Sequence, residues 1–298
     1  MSVLNCTTCN IENRNIAKYC RFCGKMISQT ATTPLPVSQT TANTEPQSST
    51  ITSTTTTAPA AVNNAPDYIG HEDIRSQLGK IKSNILFQKK RQEAGVGGSG
   101  GAKIFVFRGK TGAGKTLVAK HFIEDLRQED CLSSDRVTNK EARELSKTYG
   151  DEYAIAKFLS ESKPAALVVD NATENTTYIH ELILALSKST EECICIIIGN
   201  NEGFEEFFKK HVEDRQRITY DFDFNDLSLE DLTLILMKKL NERGLCFEPN
   251  IKKHFTAYIR ERLNDQSCEY KNGWLVEKGI IPAIDKNQQA RLESLVSC

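Results

Sequence analysis

Eight consecutive residues constrain this chain more than anything else in it: Gly109-Lys-Thr-Gly-Ala-Gly114-Lys115-Thr116. They fit G-x-x-x-x-G-K-[ST], in which glycines let backbone N–H groups curl around an anion, the lysine reaches the outer phosphate oxygens and the hydroxyl ligates magnesium. The pattern carries that meaning only between a strand and a helix, and both are legible. Ile104–Phe107 is a β-branched and aromatic run ahead of it, and Leu117, Val118, Phe122 and Leu126 follow at helical spacing. The helix N-terminus adds its own attraction for anions. The expected ligand is ATP with Mg2+, held by Gly109, Thr111, Gly112, Ala113, Gly114, Lys115 and Thr116. An ordinary turn is the bland alternative, and the strand and helix on either side disfavour it.

The second half of such a site is an acid ending a neighbouring apolar strand, and Ala165-Ala-Leu-Val-Val-Asp170 supplies it. Asp170 is the expected partner of Thr116 in the magnesium shell. The next residue is Asn171, where machines of this kind carry an acid that activates the attacking water. An amide orients water but does not take its proton. Since a positioned general base contributes about 10² to 10⁴ in rate, its loss predicts slow turnover rather than none. Glu174 is a nearby but weaker candidate to replace it.

Periodicity supplies the rest of the fold. Ile74, Leu78, Ile81 and Ile85 recur at helical spacing, and a Gly-rich turn (Gly95–Gly101) precedes the first strand. Cys193–Ile198 reads as a further buried strand, and Ile218, Tyr220, Phe222 and Phe224 alternate with polar residues as another. From Ser228 onward the pattern is helical, opened by Ser228 with Asp231 and closed by Gly244. The expected fold class is α/β: a P-loop NTPase with a parallel sheet over 67–225, followed by a helical lid over 226–298.

Upstream, Cys6-Thr-Thr-Cys9 and Cys20-Arg-Phe-Cys23 form two CxxC pairs within a segment, 1–27, too short to hold a core of its own. Four thiolates converging on one point suit a structural Zn2+, which such a segment needs in order to fold. A redox dithiol is the alternative. Arg14, Lys18, Arg21 and Lys25 with Tyr19 and Phe22 could touch nucleic acid, although contact with a protein partner is the favoured role of the ribbon. Residues 28–66 are almost all Thr, Ser, Pro, Ala, Asn and Gln, with Glu45 as the lone charge and no aromatic residue, a composition expected to form a disordered tether. A glycosylated stalk is the other reading and requires export.

Composition removes several classes. A net charge of -1 provides no basic field for gripping nucleic acid. The longest apolar run, Cys193–Ile198, is far short of the roughly 20 residues that cross a bilayer, and the amino terminus has no basic-then-apolar leader, so the expected compartment is the cytoplasm. Of the ten cysteines, four read as metal ligands and six as buried thiols.

With these residues in place, the region from Asp67 to the end resembles the AAA+ ATPases, specifically the CbxX/CfqX type, which includes rubisco activases and ATPase components of type VII secretion. Tyr68-Ile-Gly-His-Glu72 resembles the family's opening turn near the adenine, and the following helix ends in Gln92-Glu-Ala-Gly95 as the family's does. Ile198-Gly-Asn-Asn-Glu-Gly-Phe-Glu-Glu-Phe207 resembles the strand and helix of the first sensor, and Leu240-Asn-Glu-Arg-Gly244 the end of the first lid helix. The resemblance implies that Asn200, or else Asn201, is the sensor near the γ-phosphate. It implies that Arg217, or Arg215, in Asp214-Arg-Gln-Arg-Ile218, is an arginine finger reaching the adjacent subunit; the alternative is two solvated charges. Where the family places a second sensor arginine, this chain reads Asn272-Gly-Trp-Leu-Val-Glu-Lys278, with Lys278 the nearest cation. Tyr149-Gly150 is either the remnant of a pore loop or an exposed turn. The implied activity is an oligomeric ATPase, a ring of six, that remodels a protein recruited through the zinc ribbon. A non-hydrolysing nucleotide switch and a nucleic-acid-associated ATPase are the alternatives.

Overall fold

A computed structural model of the chain describes residues 3–5, 12–14, 68–96, 100–245, 250–265 and 267–296, with side-chain surroundings given between 68 and 288. The chain divides after Pro66. In the first part β1 (Val3–Asn5) pairs antiparallel with β2 (Glu12–Arg14), Val3 opposite Arg14. The proposed zinc ligands Cys6, Cys9, Cys20 and Cys23, and the 28–66 tether, lie outside the described residues.

The second part is built on an all-parallel sheet of five strands: β3 (Lys103–Gly109), β4 (Val137–Glu141), β5 (Ala166–Asp170), β6 (Ile194–Gly199) and β7 (Tyr220–Phe224). Their spatial order is β4-β5-β6-β3-β7, which sets the strand before the P-loop between β6 and β7. Alternation along β3, β5 and β6 feeds two cores, the first of which also takes the inward face of β7. Phe105, Phe107, Val168, Ile196, Ile198 and Phe222 face α1 (Glu72–Glu93) and α2 (Lys115–Gln128), meeting Ile74, Leu78, Ile81, Ile85, Val118, Phe122 and Leu126. Ile104, Val106, Leu167, Val169, Cys195 and Ile197 face the other way. They meet α3 (Ala142–Thr148), α4 (Glu152–Ser162), α5 (Thr176–Lys188) and α6 (Asn201–Lys210) through Leu145, Ile155, Leu159, Ile179, Leu182, Phe204 and Phe207. Strands covered on both sides are apolar throughout, which is why β3, β5 and β6 are legible in the sequence.

β4 is the exception. Val-Thr-Asn-Lys-Glu has no apolar alternation and was not an expected strand. It sits at the edge, exposed along most of its length, and pairing with β5 holds it extended. The expected strand at Ile218 begins two residues later, at Tyr220.

After α7 (Val212–Arg217) and β7, the chain becomes helical: α8 (Leu229–Glu242), α9 (Ile251–Asn264), α10 (Asn272–Trp274), a π-type stretch over Leu275–Ile280 and α11 (Ile281–Val296). Ser228 and Asp231 close a capping box on α8. Leu232, Leu236, Leu240, Ile259, Leu275, Val276, Ile280 and Ile281 form a third core beneath these helices. Pro282 has no N–H to return to the carbonyl one turn back, and the helical ladder widens just ahead of it. Among the described residues no helix is long and apolar enough to cross a membrane. Of the six other cysteines, Cys131, Cys193 and Cys195 are buried, Cys268 is only half-buried, and Cys246 and Cys298 lie outside the described residues.

Candidate functional site

All five strands run the same way, so their carboxyl ends share one edge of the sheet, where α/β folds bind ligands. A cavity of about 870 Å3 opens there, with the P-loop on one side, Asp170, Asn171 and Asn200 on another, and lid residues Lys238, Lys239, Gly273, Trp274 and Glu277 closing over it. Gly112 and Gly114 adopt φ of 79° and 91°, left-handed values that a side chain resists, and Gly114 caps α2.

The carbonyls of this loop are taken one after another. Lys115 Nζ donates to Gly109 O at 2.7 Å and to Lys110 O at 2.8 Å. Asn272 Nδ2 donates to Thr111 O at 3.3 Å, and the Gly273 N–H donates to Gly112 O at 3.0 Å. His71 Nε2 lies 2.6 Å from Ala113 O. Because a trans peptide points each N–H opposite the preceding carbonyl, the N–H groups of Lys110, Thr111, Gly112 and Gly114 are turned the other way. Burial lowers the pKa of Lys115, with Asp170 acting in the opposite sense, which prepares the ammonium to gain from a phosphate.

Thr116 Oγ1 donates to Asp170 Oδ2 at 2.7 Å. A hydroxyl and a carboxylate side by side, next to a lysine, form a hard-oxygen donor set that fits magnesium carrying a nucleotide phosphate. Thr116 and Asp170 would hold that magnesium, which would supply neutralisation of phosphoryl charge.

Asn171 adopts φ 51°, and its N–H donates to Asp170 Oδ1 at 2.8 Å, so its exposed amide lies on the cavity wall beside the acid. Asn200 also lines the cavity. It caps α6, its Oδ1 accepting from the Gly203 N–H at 2.6 Å, which leaves its NH2 group as the donor. Asn201 does not line it: its amide nitrogen donates to Asp223 at 3.2 Å, and its Oδ1 is buried without a partner. Glu174 lines the cavity, and so does Glu141, a residue to which sequence gave no role.

The arginines on α7 stand away from this cavity. Arg217 donates to Asp214 Oδ1 at 3.0 Å, while the buried Asp214 holds His180 Nδ1 at 2.6 Å on its other oxygen. Arg215 is exposed, its guanidinium 5.7 Å from the Phe208 ring centre. Lys278 does not fill the place of a second sensor: its ammonium lies 3.5 Å over the Trp274 ring, and Trp274 faces the cavity instead. The lid cations that line the cavity are Lys238 and Lys239 on α8, Lys239 pairing with Glu277 at 3.4 Å. Tyr149 is neither an exposed turn nor a loop tip, because its ring packs 4.6 Å from Phe158 against the core.

Two further residues of the site went unassigned in the sequence. His71 joins the start of α1 to the P-loop, its ring also edge-on to Phe224 at 4.9 Å. The buried Asn272, in the left-handed region at φ 51°, donates to Asp226 Oδ1 at 3.0 Å and accepts the Leu227 N–H at 3.2 Å while donating to Thr111. Lys110 reaches Asp226 as well, at 2.7 Å, so one cluster ties the lid, the hinge ahead of α8 and the P-loop together. The sequence signals were His71 in the opening turn and the Asn-Gly step ahead of a helix.

No protein-family model matches the chain. The CfxQ homologue of Cyanidium caldarium is 21% identical over 209 residues, which cover 66% of this chain and 73% of that protein. Chloroplastic ribulose bisphosphate carboxylase/oxygenase activase of Cyanidioschyzon merolae is also 21% identical over 209 residues, covering 66% and 71%. CbbX of Cereibacter sphaeroides is 22% identical over 210 residues, covering 66% and 68%. With the P-loop on an inner strand, the acid on its second neighbour and a helical lid above, these relatives place the chain in the AAA+ family, among proteins of the CbbX/CfxQ type.

Proposed function

We propose that this chain is a slow, magnesium-dependent ATPase that works as an oligomer, a ring of six, to remodel or assemble a protein partner recruited through its zinc ribbon. The observation that carries the reading is the contact of Thr116 with Asp170 at 2.7 Å, in one cavity with Lys115 and a lid that bonds directly to the P-loop. Lys115 and the turned N–H groups bind the β- and γ-phosphates, Asp170 and Thr116 hold magnesium, and the Asn200 amide donates toward the γ-phosphate. Slow turnover is expected because Asn171, beside the magnesium acid, positions water but does not itself take its proton. A relative named as a rubisco activase supports a protein assembly as the partner class. Arg215 or Arg217, both remote from the cavity of their own chain, would complete the site of a neighbouring copy, Arg217 by leaving Asp214. Such a finger is worth about 10³ to 10⁵ in related phosphoryl transfers. The ribbon on its tether raises the local concentration of a partner without fixing its geometry.

The second reading is a nucleotide switch that binds ATP without cleaving it, and Asn171 is the residue that favours it. Single-turnover phosphate release from Mg·ATP, at protein concentrations that allow assembly, separates the two. Release by the parent that disappears in Lys115→Ala supports the ATPase. Tight binding with no release supports the switch.

A further inference from the structure

We infer that Glu141 is the catalytic carboxylate of this site, accepting the proton of the water that Asn171 orients; the inference rests on the ATPase reading above. The strand that bears it is the one whose sequence gave no apolar reason to be a strand. Pairing of β4 with β5 sets Glu141 directly opposite Asp170, in adjacent strands about 4.8 Å apart. Both are the last residues of their strands, and both line the cavity that holds Lys115, Thr116 and Asn200.

Glu141 has no competing employment. Its neighbours Lys140 and Glu144 pair with each other, and although Glu141 is the residue that precedes α3, its side chain makes no capping bond. Among the described residues its carboxylate has no hydrogen-bond or ion-pair partner. Glu174, the other carboxylate on the cavity wall, stands at the end of a single 3-10 turn (Ala172–Glu174), three residues past Asn171. A residue fixed by strand pairing is the better-anchored of the two, and catalytic groups need that anchoring. The arrangement exchanges the usual order of parts: the amide follows the magnesium acid on β5, and the carboxylate comes from the adjacent strand.

In the step assigned to it, the water oxygen forms a bond to the γ-phosphorus. The bond from that phosphorus to the bridging oxygen breaks, and its electron pair leaves with ADP. The water proton passes to the Glu141 carboxylate, which later releases it to solvent.

The test uses the full chain with zinc and compares the parent with Glu141→Gln, Glu174→Gln and the double variant Glu141→Gln/Asn171→Glu. Three quantities are measured: single-turnover phosphate release, its pH profile, and the affinity for a fluorescent ATP analogue. Glu141→Gln should lower the release rate by about 10² to 10⁴, flatten the acid limb of the profile and keep the analogue affinity within about threefold. Asn171→Glu in the same chain should recover part of the rate. A Glu141→Gln rate within about threefold of the parent overturns the inference and leaves the ATPase reading standing, as does a loss in Glu174→Gln equal to or larger than that in Glu141→Gln. A parent that binds the analogue and releases no phosphate overturns both.

Discussion

His71 is a small residue-level account of how this site is held. Its ring is half-buried between the P-loop and Phe224, and burial pushes its pKa below the ordinary 6.5, more than the Ala113 carbonyl and Asp231 raise it. The neutral ring donates from Nε2 to Ala113. In the unfolded chain the ring binds a proton as soon as the pH drops below its ordinary value, and the folded ring resists doing so. The stability it contributes is therefore fully present above pH 6.5 and is lost as pH falls through the lowered folded value. A series of melting temperatures between neutral pH and pH about 5 should fall more steeply for the parent than for His71→Asn, a substitution that tolerates the left-handed backbone there. Parallel curves would remove His71 from this role. Residues whose own chemistry marks them are legible in the sequence: Lys115, Thr116 and Asp170 line one cavity, where we propose that they hold phosphate and magnesium. His71 and Asn272 act by reaching 42 and 161 residues along the chain to the loop, and no local pattern records such a distance.

Among the elements, the strands that read clearly were those sealed on both faces, and the one that did not was the exposed edge. β4 is polar because solvent lies along it, and only its register with β5 makes it a strand. The lid read well where helix signals are local. Ser228 and Asp231 cap α8 as their spacing implied. It read poorly at α10, where a three-residue helix widens into a π-type stretch and the lid meets the loop. Asn272→Gly tests that junction, since glycine keeps φ 51° at no cost while removing three side-chain bonds. Leaving the half-buried Leu227 N–H unpaired, with the loss of two further bonds, should cost about 1 to 3 kcal/mol in chemical denaturation. The same variant should bind the ATP analogue more weakly, because the Thr111 carbonyl is freed. Unchanged affinity with reduced stability would make Asn272 a purely structural tie.

For the whole molecule, the division after Pro66 separates two kinds of stability. The second part carries three apolar cores, large enough to stabilise it by burial. The first, with a ribbon of under 30 residues, depends on Zn2+ under the reading proposed here. Purified chain should therefore contain zinc, lose it in Cys20→Ser/Cys23→Ser, and show the main unfolding transition at the same temperature in both. Loss of the main transition on zinc removal would mean that the metal supports the second part instead. Burial raises the Cys193 thiol to about 12 and Cys195 well above the ordinary thiol value, which disfavours the thiolate form that ligates a metal at these two positions.

Five consecutive P-loop carbonyls, from Gly109 to Ala113, are turned outward by three separate parts of the second unit: the loop's own lysine, the α10 turn of the lid and the residue before the first helix. The loop thus behaves as a lock with several keyholders. The N–H groups of Lys110, Thr111, Gly112 and Gly114 should face the cavity only while lid and first helix are both seated, so pulling the lid away is expected to weaken nucleotide binding without any change at the nucleotide itself.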